Sequence, residues 1–333
     1  LCQLTGAEDA LVVNNNAAAT MLVLASLCAG REVICSRGQL IEIGGSYRLP
    51  DCVHQSGAIL VEVGATNKTH LRDYAQAISE NTAALLHVNP SNYRIVGFSA
   101  SVPIAELVGL KGDRPILVID DLGCGALVNL EEYGLPHEPT VQQSLAAGAD
   151  LVCFSGDKLI GGPQSGIIVG RKALIERIRK HPLTRMLRVG KLTDVALEHT
   201  LYLFLEPESL RERHPTFRML CLPLDRVQAR AEALCAALTA LGGPLECAVE
   251  ACASAMGGGA LPDVSLPSAA ICAAVQGMSA EELARRLRRN EPPIISQIRD
   301  GRVVLDLRTV LDGEESAVVA AFQHIAESAR EPR

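Results

Sequence analysis

The sequence predicts an α/β fold: a large domain built on a mostly parallel sheet of seven strands, followed by a small α+β domain. Seven short apolar runs in the first half lack polar alternation, which is typical of strands buried on both faces. Helical patterns separate most of these runs, and that alternation indicates a parallel sheet. After Gly170 the pattern changes to long helices and then to mixed strands and helices. We therefore expect domains at residues 1–205 and 206–333.

The elements of the large domain follow from these runs in order. Strands are predicted at 10–13, 32–35, 58–63, 83–88, 115–119, 150–154 and 166–169. Helices are predicted between most of them, at 17–29, 69–80, 103–110 and 141–147. About a dozen residues separate the last two strands, which is too few for a helical crossover, so we expect them to be antiparallel neighbours.

The remaining elements are predicted in the same way. Two helices, at 172–181 and 191–205, follow the last strand of the large domain. The small domain is predicted as a helix at 226–241, strands at 246–253 and 269–275, a helix at 279–289, strands at 293–297 and 302–307, and a helix at 314–330. Residues 256–267 carry three consecutive glycines and two prolines, a composition that predicts a loop.

Composition excludes several classes of protein. The net charge of the 333 residues is −7, which argues against a surface that binds nucleic acid throughout but leaves room for a local basic patch. No apolar run is long enough to span a bilayer, and no secretory signal is visible. The 11 cysteines include no C-x-x-C pair, so we expect reduced thiols in a cytoplasmic protein without a metal site. Because the chain opens at Leu1, we expect the natural protein to extend further towards the N-terminus.

A lysine in a glycine-rich turn is the strongest local feature. Residues 154–166 read F-S-G-D-K-L-I-G-G-P-Q-S-G and follow a predicted buried strand. A lysine in such a place can serve as an amine nucleophile or base when its pKa is lowered. The alternative interpretation, an ordinary surface lysine near glycines, is favoured when the motif stands alone.

Two adjacent carboxylates, Asp120 and Asp121, end another predicted strand. Ligands of open α/β sheets bind at the carboxyl ends of the strands, so one carboxylate could contact a ring nitrogen or a metal. Successive strand residues face opposite ways, so only one of the two should point inward. A helix cap or a solvated turn is the competing explanation.

Two further segments suit anions. Residues 13–19, V-N-N-N-A-A-A, place small residues at the start of a predicted helix, where backbone N–H groups can bind phosphate, or where an asparagine simply caps the helix. Residues 171–191 hold eight Lys and Arg against one acid. Arg185 and Arg188 are three residues apart and would share a helical face, as a pair of guanidinium groups suited to an oxyanion. A solvated helix face is the alternative.

Together the three strand-end motifs supply the parts of a pyridoxal 5′-phosphate site: a lysine, an aspartate and a phosphate cradle. Their order along the chain, cradle, Asp and then Lys, matches the large domain of fold type I pyridoxal-phosphate transferases. A small C-terminal domain follows in those enzymes too.

Seven segments spread over nearly the whole chain match one family. They are L-T-G-A-E-D-A-L-V-V-N-N-N-A-A-A (4–19), S-R-G-Q-L-I-E-I-G-G-S-Y-R-L-P-D (36–51), S-N-Y-R-I-V-G-F (91–98), D-L-G-C-G-A-L (121–127), F-S-G-D-K-L-I-G-G-P-Q-S-G-I-I-V-G (154–170), H-P-L-T-R-M-L-R (181–188) and D-L-R-T-V (306–310). The chain resembles the bacterial selenocysteine synthases, or L-seryl-tRNA(Sec) selenium transferases. The resemblance implies conversion of seryl-tRNA(Sec) to selenocysteinyl-tRNA(Sec) with selenophosphate, through an aminoacrylyl intermediate, in a homo-oligomeric ring of dimers.

The resemblance also implies residue roles. Lys158 matches the Schiff-base lysine, and Asp121 matches the aspartate that pairs with the pyridinium nitrogen. Arg185 and Arg188 match the pair that receives selenophosphate. The cofactor phosphate is expected at Asn16, Ala17, Ala18 and Ser155, and Asn92 is expected near the cofactor ring.

Two departures from the family pattern stand out. Cys124 replaces a serine that is frequent in the family. The family's N-terminal tRNA-binding region and its T-G-x-x-x-H-T-N-L-G-R segment are absent, so we expect a fragment. Two other functions are therefore kept as alternatives: a related lyase acting on a free amino acid or amino sugar, and a truncated subunit without catalytic activity.

Overall fold

A computed structural model describes residues 1–257, 259–262 and 264–330. The described residues form two compact units, Leu1–Phe217 with Met256–Asp263, and Arg218–Ala255 with Val264–Arg333. The first unit thus continues past the predicted boundary at residue 205 and takes in a loop from the C-terminal half of the chain. None of the helices in the described ranges has the length and apolar character that crossing a bilayer requires.

The first unit is built on a seven-stranded sheet. Its strands and those of a small hairpin are β1 (Asp9–Val13), β2 (Glu32–Ser36), β3 (Glu42–Ile43), β4 (Tyr47–Arg48), β5 (Ile59–Val63), β6 (Thr82–Val88), β7 (Leu117–Gly123), β8 (Leu151–Ser155) and β9 (Gly166–Gly170). Its helices are α1 (Cys2–Thr5), α2 (Asn16–Leu27), α3 (Leu49–Gln55), α4 (Leu71–Ala77), α5 (Ile104–Lys111), α6 (Val141–Ala146), α7 (Lys172–Arg179), α8 (Pro182–Met186), α9 (Lys191–Leu203) and α10 (Leu210–Arg213), with 3-10 turns at Arg37–Gln39, Leu130–Tyr133 and Pro207–Ser209.

The strand order of the large sheet is β1-β9-β8-β7-β6-β2-β5. The four pairs from β5 to β8 are parallel, and β9 runs antiparallel to both β8 and β1. This confirms the predicted mostly parallel sheet and the antiparallel neighbour after the short connection. Apolar side chains of α2, α3 and α7 pack on one face, and those of α4 and α5 pack on the other. Burial of both faces explains why the strands read as continuous apolar runs.

The second unit begins within α11 (Pro215–Cys221). It continues with α12 (Leu224–Ala240), β10 (Leu245–Ala255), β11 (Ser265–Val275), α13 (Ala280–Arg288), β12 (Gln297–Arg299), β13 (Arg302–Asp306) and α14 (Glu315–Arg330). Its four-stranded sheet has the order β10-β11-β13-β12. The strand predicted at 293–297 is wrong, because the chain becomes a strand only at Gln297. Pro292 and Pro293 lack the N–H groups that a ladder needs.

The hairpin of β3 and β4, followed by α3, has no counterpart in the sequence prediction. Each strand of this hairpin is two residues long, too short to show a hydrophobic period. The helix predicted at 172–181 also differs, because α7 ends at Arg179 and a second helix, α8, starts at Pro182. A proline is well tolerated in the first turn of a helix, where its missing N–H has no intrahelical partner.

Candidate active site

Asp121 lies at the carboxyl end of β7 and is almost fully buried. Its Oδ1 accepts hydrogen bonds from Asn16 Nδ2 at 2.8 Å and from the Gly123 backbone N–H at 3.1 Å, and its Oδ2 accepts one from Thr20 Oγ1 at 2.9 Å. Burial raises the pKa of the Asp121 carboxyl above its ordinary value, while these hydrogen bonds act in the opposite direction. The carboxyl is thus fixed in orientation and is poised for a cationic partner, which would favour its ionised form.

Asp120 points to the opposite face of β7. Its Oδ1 lies 2.7 Å from His87 Nδ1, and its Oδ2 accepts a hydrogen bond from Ser144 Oγ at 2.5 Å. The alternation of strand residues therefore separates the two carboxylates, and Asp121 is the one that faces the site with Asn16.

Lys158 sits in a turn directly after β8. The turn is closed by hydrogen bonds from the Gly161 N–H to the Lys158 carbonyl at 2.9 Å and from the Gly162 N–H to the Gly156 carbonyl at 2.8 Å. A Cβ at Gly156 would lie 2.1 Å from Ser165 Oγ, so a larger residue there would displace the turn. The lysine side chain reaches Gly259, where an added Cβ would lie 3.2 Å from Lys158 Nζ. The glycines therefore place the amine inside a confined space.

The N-terminus of α2 forms another side of the site. Asn15 caps the helix by accepting a hydrogen bond from the Ala18 N–H at 2.8 Å. The backbone N–H groups of Asn16 and Ala17 belong to the first turn, where no helical carbonyl can accept from them. Asn16 Oδ1 is buried and has no hydrogen-bond partner within the described ranges. This end of α2 therefore offers donors and one unsatisfied acceptor to a ligand.

These groups meet in a cavity of about 340 Å³, which we call the lysine cavity. Its lining residues are Asn15, Asn16, Ala17, Ile41, Ile43, Gly44, Ser46, Tyr47, Val88, Asn89, Ser91, Asp121, Gly123, Ser155, Asp157, Lys158 and Gln164. The structure thus brings together Asn16, Ala17, Asp121, Ser155 and Lys158 as predicted neighbours. Ala18 does not line the cavity, and its backbone N–H donates to Asn15 Oδ1.

Several lining residues escaped the sequence analysis. Asn89 follows β6 and Tyr47 lies in the small hairpin. Burial raises the pKa of the Tyr47 hydroxyl, so this group stays protonated as a potential donor. The signal for Asn89 was its place at the end of an apolar run, because neighbouring parallel strands end at the same edge of a sheet. The signal for Tyr47 was only its place in a segment shared with the family.

Asn92 is not in the lysine cavity. Its Nδ2 donates to the Glu42 carbonyl at 3.1 Å, while its neighbour Ser91 lines the cavity. The segment that holds Asn92 therefore does reach the site, but through a different side chain. Asn92 Oδ1 is buried without a hydrogen-bond partner in the part of the chain that the structure describes.

The expectation that Arg185 and Arg188 share a helical face is wrong. Helix α8 has five residues and ends at Met186, so Arg188 lies outside it. Arg188 instead forms an isolated antiparallel bridge with Val13, next to the start of the turn that leads to Asn16. Both arginines are exposed, and neither lines the lysine cavity.

Pyridoxal 5′-phosphate fits this donor set. The cavity contains a primary amine for the aldehyde, a buried carboxyl for a protonated ring nitrogen and an orphaned amide oxygen at Asn16. First-turn amides of α2 and the hydroxyl of Ser155 suit the phosphate. Apolar side chains of Ile41, Ile43 and Val88 suit the ring.

This site, on the edge of a mostly parallel seven-stranded sheet, defines the class of fold type I pyridoxal-phosphate enzymes. A solved structure of D-glucosaminate-6-phosphate ammonia-lyase has the same fold, with a TM-score of 0.61 and 24% identity over 99% of this chain and 84% of that one.

The sequence comparisons identify the family. The family model of the L-seryl-tRNA selenium transferases matches residues 1–311. The L-seryl-tRNA(Sec) selenium transferase of Alkaliphilus metalliredigens is 51% identical over 98% of this chain and 70% of its own length. That of Serratia proteamaculans is also 51% identical, over 97% of this chain and 70% of its own length. The chain belongs to the L-seryl-tRNA(Sec) selenium transferase family.

Proposed function

We propose that the chain is a pyridoxal-phosphate-dependent transferase that converts L-seryl-tRNA(Sec) to L-selenocysteinyl-tRNA(Sec) with selenophosphate. Family membership is the observation that carries this proposal, since relatives bearing that name match nearly the whole chain at 51% identity. The lysine cavity supports it with a compatible set of groups.

Lys158 is the residue that holds the cofactor and moves the proton at Cα of the seryl group. Its amine lies in the same cavity as Asp121, and the glycine turn confines it there. When bound, pyridoxal 5′-phosphate supplies an electron sink for the charge that develops at Cα. Asp121 keeps a positive charge on the ring side of the cavity, because a buried carboxylate is stabilised by a cationic partner.

The first turn of α2 is proposed to hold the cofactor phosphate. Asn16 and Ala17 contribute backbone amides at the positive end of the helix, and Ser155 contributes a hydroxyl from the end of β8. Ala18 is proposed to contribute only as part of the same helix turn. Asn92 is proposed to lie near the cofactor ring, because its neighbour Ser91 lines the lysine cavity.

Arg185 and Arg188 are proposed to bind the selenophosphate anion. Both are exposed cations, and the bridge between Arg188 and Val13 lies two residues before Asn15 in the chain. Replacing Arg188 with Ala should raise the KM for selenophosphate about tenfold, as expected for a lost charge-assisted hydrogen bond, and leave cofactor absorbance unchanged. Equal loss of cofactor and donor binding would assign Arg188 to the framework of the fold.

We also propose that the protein works in the cytoplasm as a homo-oligomer. The described residues contain no disulfide, in keeping with a reducing compartment. Leu192, Val195 and Tyr202 are large, exposed apolar side chains on α9, a composition suited to contact between subunits.

The decisive experiment combines cofactor mapping with substrate choice. Borohydride reduction of the yellow protein should fix the cofactor to Lys158, and seryl-tRNA(Sec) with selenophosphate should give selenocysteinyl-tRNA(Sec). Lys158→Ala should lose both the absorbance and the turnover. Turnover of a free amino acid or amino sugar in place of seryl-tRNA would favour a lyase. A cofactor-loaded chain that turns over none of these would favour a subunit without catalytic activity.

A further inference from the structure

A second polar cavity lies beside the lysine cavity and has no part in the function proposed above. It measures about 300 Å³, and we call it the His87 cavity. Its lining residues are Ser36, Gly38, Gln39, Thr66, Asn67, Thr69, His87, Asn89, Pro90, Arg94, Ile95, Ser99, Ala100 and Ser101. Hydroxyl and amide groups dominate this lining, so the cavity suits a ligand rich in hydroxyl groups.

The ring of His87 is held in one orientation by Asp120. Its Nδ1 lies 2.7 Å from Asp120 Oδ1, and the other oxygen of Asp120 accepts from Ser144 Oγ. The carboxyl of Asp120 thus engages Nδ1, and Nε2 is the ring nitrogen left for a ligand. Within the described ranges, Nδ1 is the only ring nitrogen of His87 with a hydrogen bond. The contact with Asp120 thus holds the His87 ring in one orientation at the wall of the cavity.

Asn89 joins the two cavities, because it lines both. Its backbone N–H donates to the Asp121 carbonyl at 2.8 Å, which ties this wall to the site of the buried carboxyl. The His87 cavity and the lysine cavity therefore share a wall at Asn89. The chemistry of the second cavity should match the part of the substrate bonded directly to the reacting amino acid.

We propose that the His87 cavity binds the terminal ribose to which the seryl group is esterified, with His87 Nε2 accepting a hydrogen bond from the free ribose hydroxyl. This inference rests on the proposed function. Ribose hydroxyls match the Ser, Thr and Asn groups of the lining, and Pro90 and Ile95 give the apolar surface that a sugar or base face needs. The 2′-hydroxyl is also the group that distinguishes RNA from DNA.

Small esters test this subsite without the rest of the tRNA. The cofactor-loaded protein is titrated with 3′-O-seryladenosine, with 3′-O-seryl-2′-deoxyadenosine and with serine methyl ester. Binding is followed by the change in cofactor absorbance, and turnover is followed with selenophosphate. Loss of one neutral hydrogen bond should raise the apparent Kd and KM about five- to tenfold for the deoxy ester, with a larger rise for the methyl ester.

Two His87 variants assign the effect to Nε2. His87→Asn keeps a donor towards Asp120, but its shorter side chain places no polar atom at the position of Nε2, so the ribose and deoxyribose esters should bind within twofold of each other. His87→Gln keeps an acceptor at the longer reach and should restore part of the difference. Ser144→Ala serves as the matched control, because it removes a hydrogen bond to Asp120 from a residue that does not line the cavity. It should keep the full difference in binding between the ribose and deoxyribose esters.

Several results would overturn the subsite. Equal binding of the ribose, deoxyribose and methyl esters by the wild-type protein would do so while leaving the proposed function intact, provided that seryl-tRNA(Sec) is converted. A His87→Asn variant that weakens all three esters equally would make His87 a structural residue. Failure of the wild-type protein to bind or convert any seryl ester, seryl-tRNA(Sec) included, would overturn both proposals.

Discussion

Asp120 and Asp121 are consecutive residues of one strand, yet they serve two different environments. Asp121 is bound by an amide, a hydroxyl and a backbone N–H, and it lines the lysine cavity. Asp120 is bound by Ser144 and His87, and His87 lines the neighbouring cavity. The contrast shows how the two-residue period of a strand places the side chains of a single D-D motif in two different surroundings.

The largest difference should come from Asp121→Asn. The amide still accepts hydrogen bonds but cannot stabilise a positive charge on the cofactor ring, so kcat should fall about 10²- to 10⁴-fold, the range seen when proton chemistry loses its supporting group. Turnover with saturating substrate and the cofactor absorbance maximum measure this. A variant with wild-type kcat would remove Asp121 from the catalytic machinery.

Asp120→Asn should have a smaller and different effect. The amide can bond His87 through its oxygen or through its NH₂ group, so Asp120 no longer sets one hydrogen-bonding role for the ring nitrogens. Loss of such an orienting partner is expected to cost about tenfold in KM for the seryl ester, with kcat and cofactor absorbance retained. Should kcat fall as far as in Asp121→Asn, the two carboxylates would belong to one catalytic unit.

Still smaller effects are expected from the two hydroxyl groups that donate to these carboxylates, Thr20 to Asp121 and Ser144 to Asp120. Thr20→Val and Ser144→Ala each remove one hydrogen bond to a buried carboxylate, and each should lower the free energy of unfolding by about 1–3 kcal/mol. Only Thr20→Val should change the cofactor absorbance. Denaturant unfolding and absorbance spectra of both variants, recorded side by side, are the measurements.

The smallest expected effect is on pH dependence. Burial raises the pKa of Asp121 above its ordinary value of 3.8, so the folded chain without cofactor holds this proton more tightly than the unfolded chain does. The stabilisation from this proton is complete below pH 3.8 and is lost as pH rises through the folded-state pKa. Asp121→Asn should flatten this part of the pH curve of unfolding free energy. A variant curve as steep as that of the wild type would assign the slope to other groups.

The sequence predicted the sheet well, because continuous apolar runs report burial on both faces, a property that each strand carries locally. It also predicted that only one of the two aspartates would face inward, although the period alone left open which one. The small hairpin with Tyr47 was missed, since two-residue strands carry no period.

Long-range contacts account for the other misses. The pairing of Arg185 with Arg188 on one helical face failed because the length of α8 depends on how the chain turns after Met186, and Arg188 instead bridges to Val13. Asn89 lines the lysine cavity because of the sheet order, and Gly259 comes close to Lys158 through a distant loop. No local pattern encodes the approach of Gly259, which became visible only in the folded chain, whereas Asn89 at least stands at the end of an apolar run.

The loop Met256–Asp263 belongs to the first unit although β10 and β11 of the second unit flank it in the chain. Cys124 Sγ donates to the carbonyl of its Gly259 at 3.0 Å, and Gly259 lies against Lys158. The C-terminal half of the chain therefore cannot be exchanged without changing residues close to Lys158. A gene segment that ended at residue 217 would omit part of the wall around the lysine. A recombination event that replaced the C-terminal half would also replace the loop that lies against Lys158, so both halves must be inherited together.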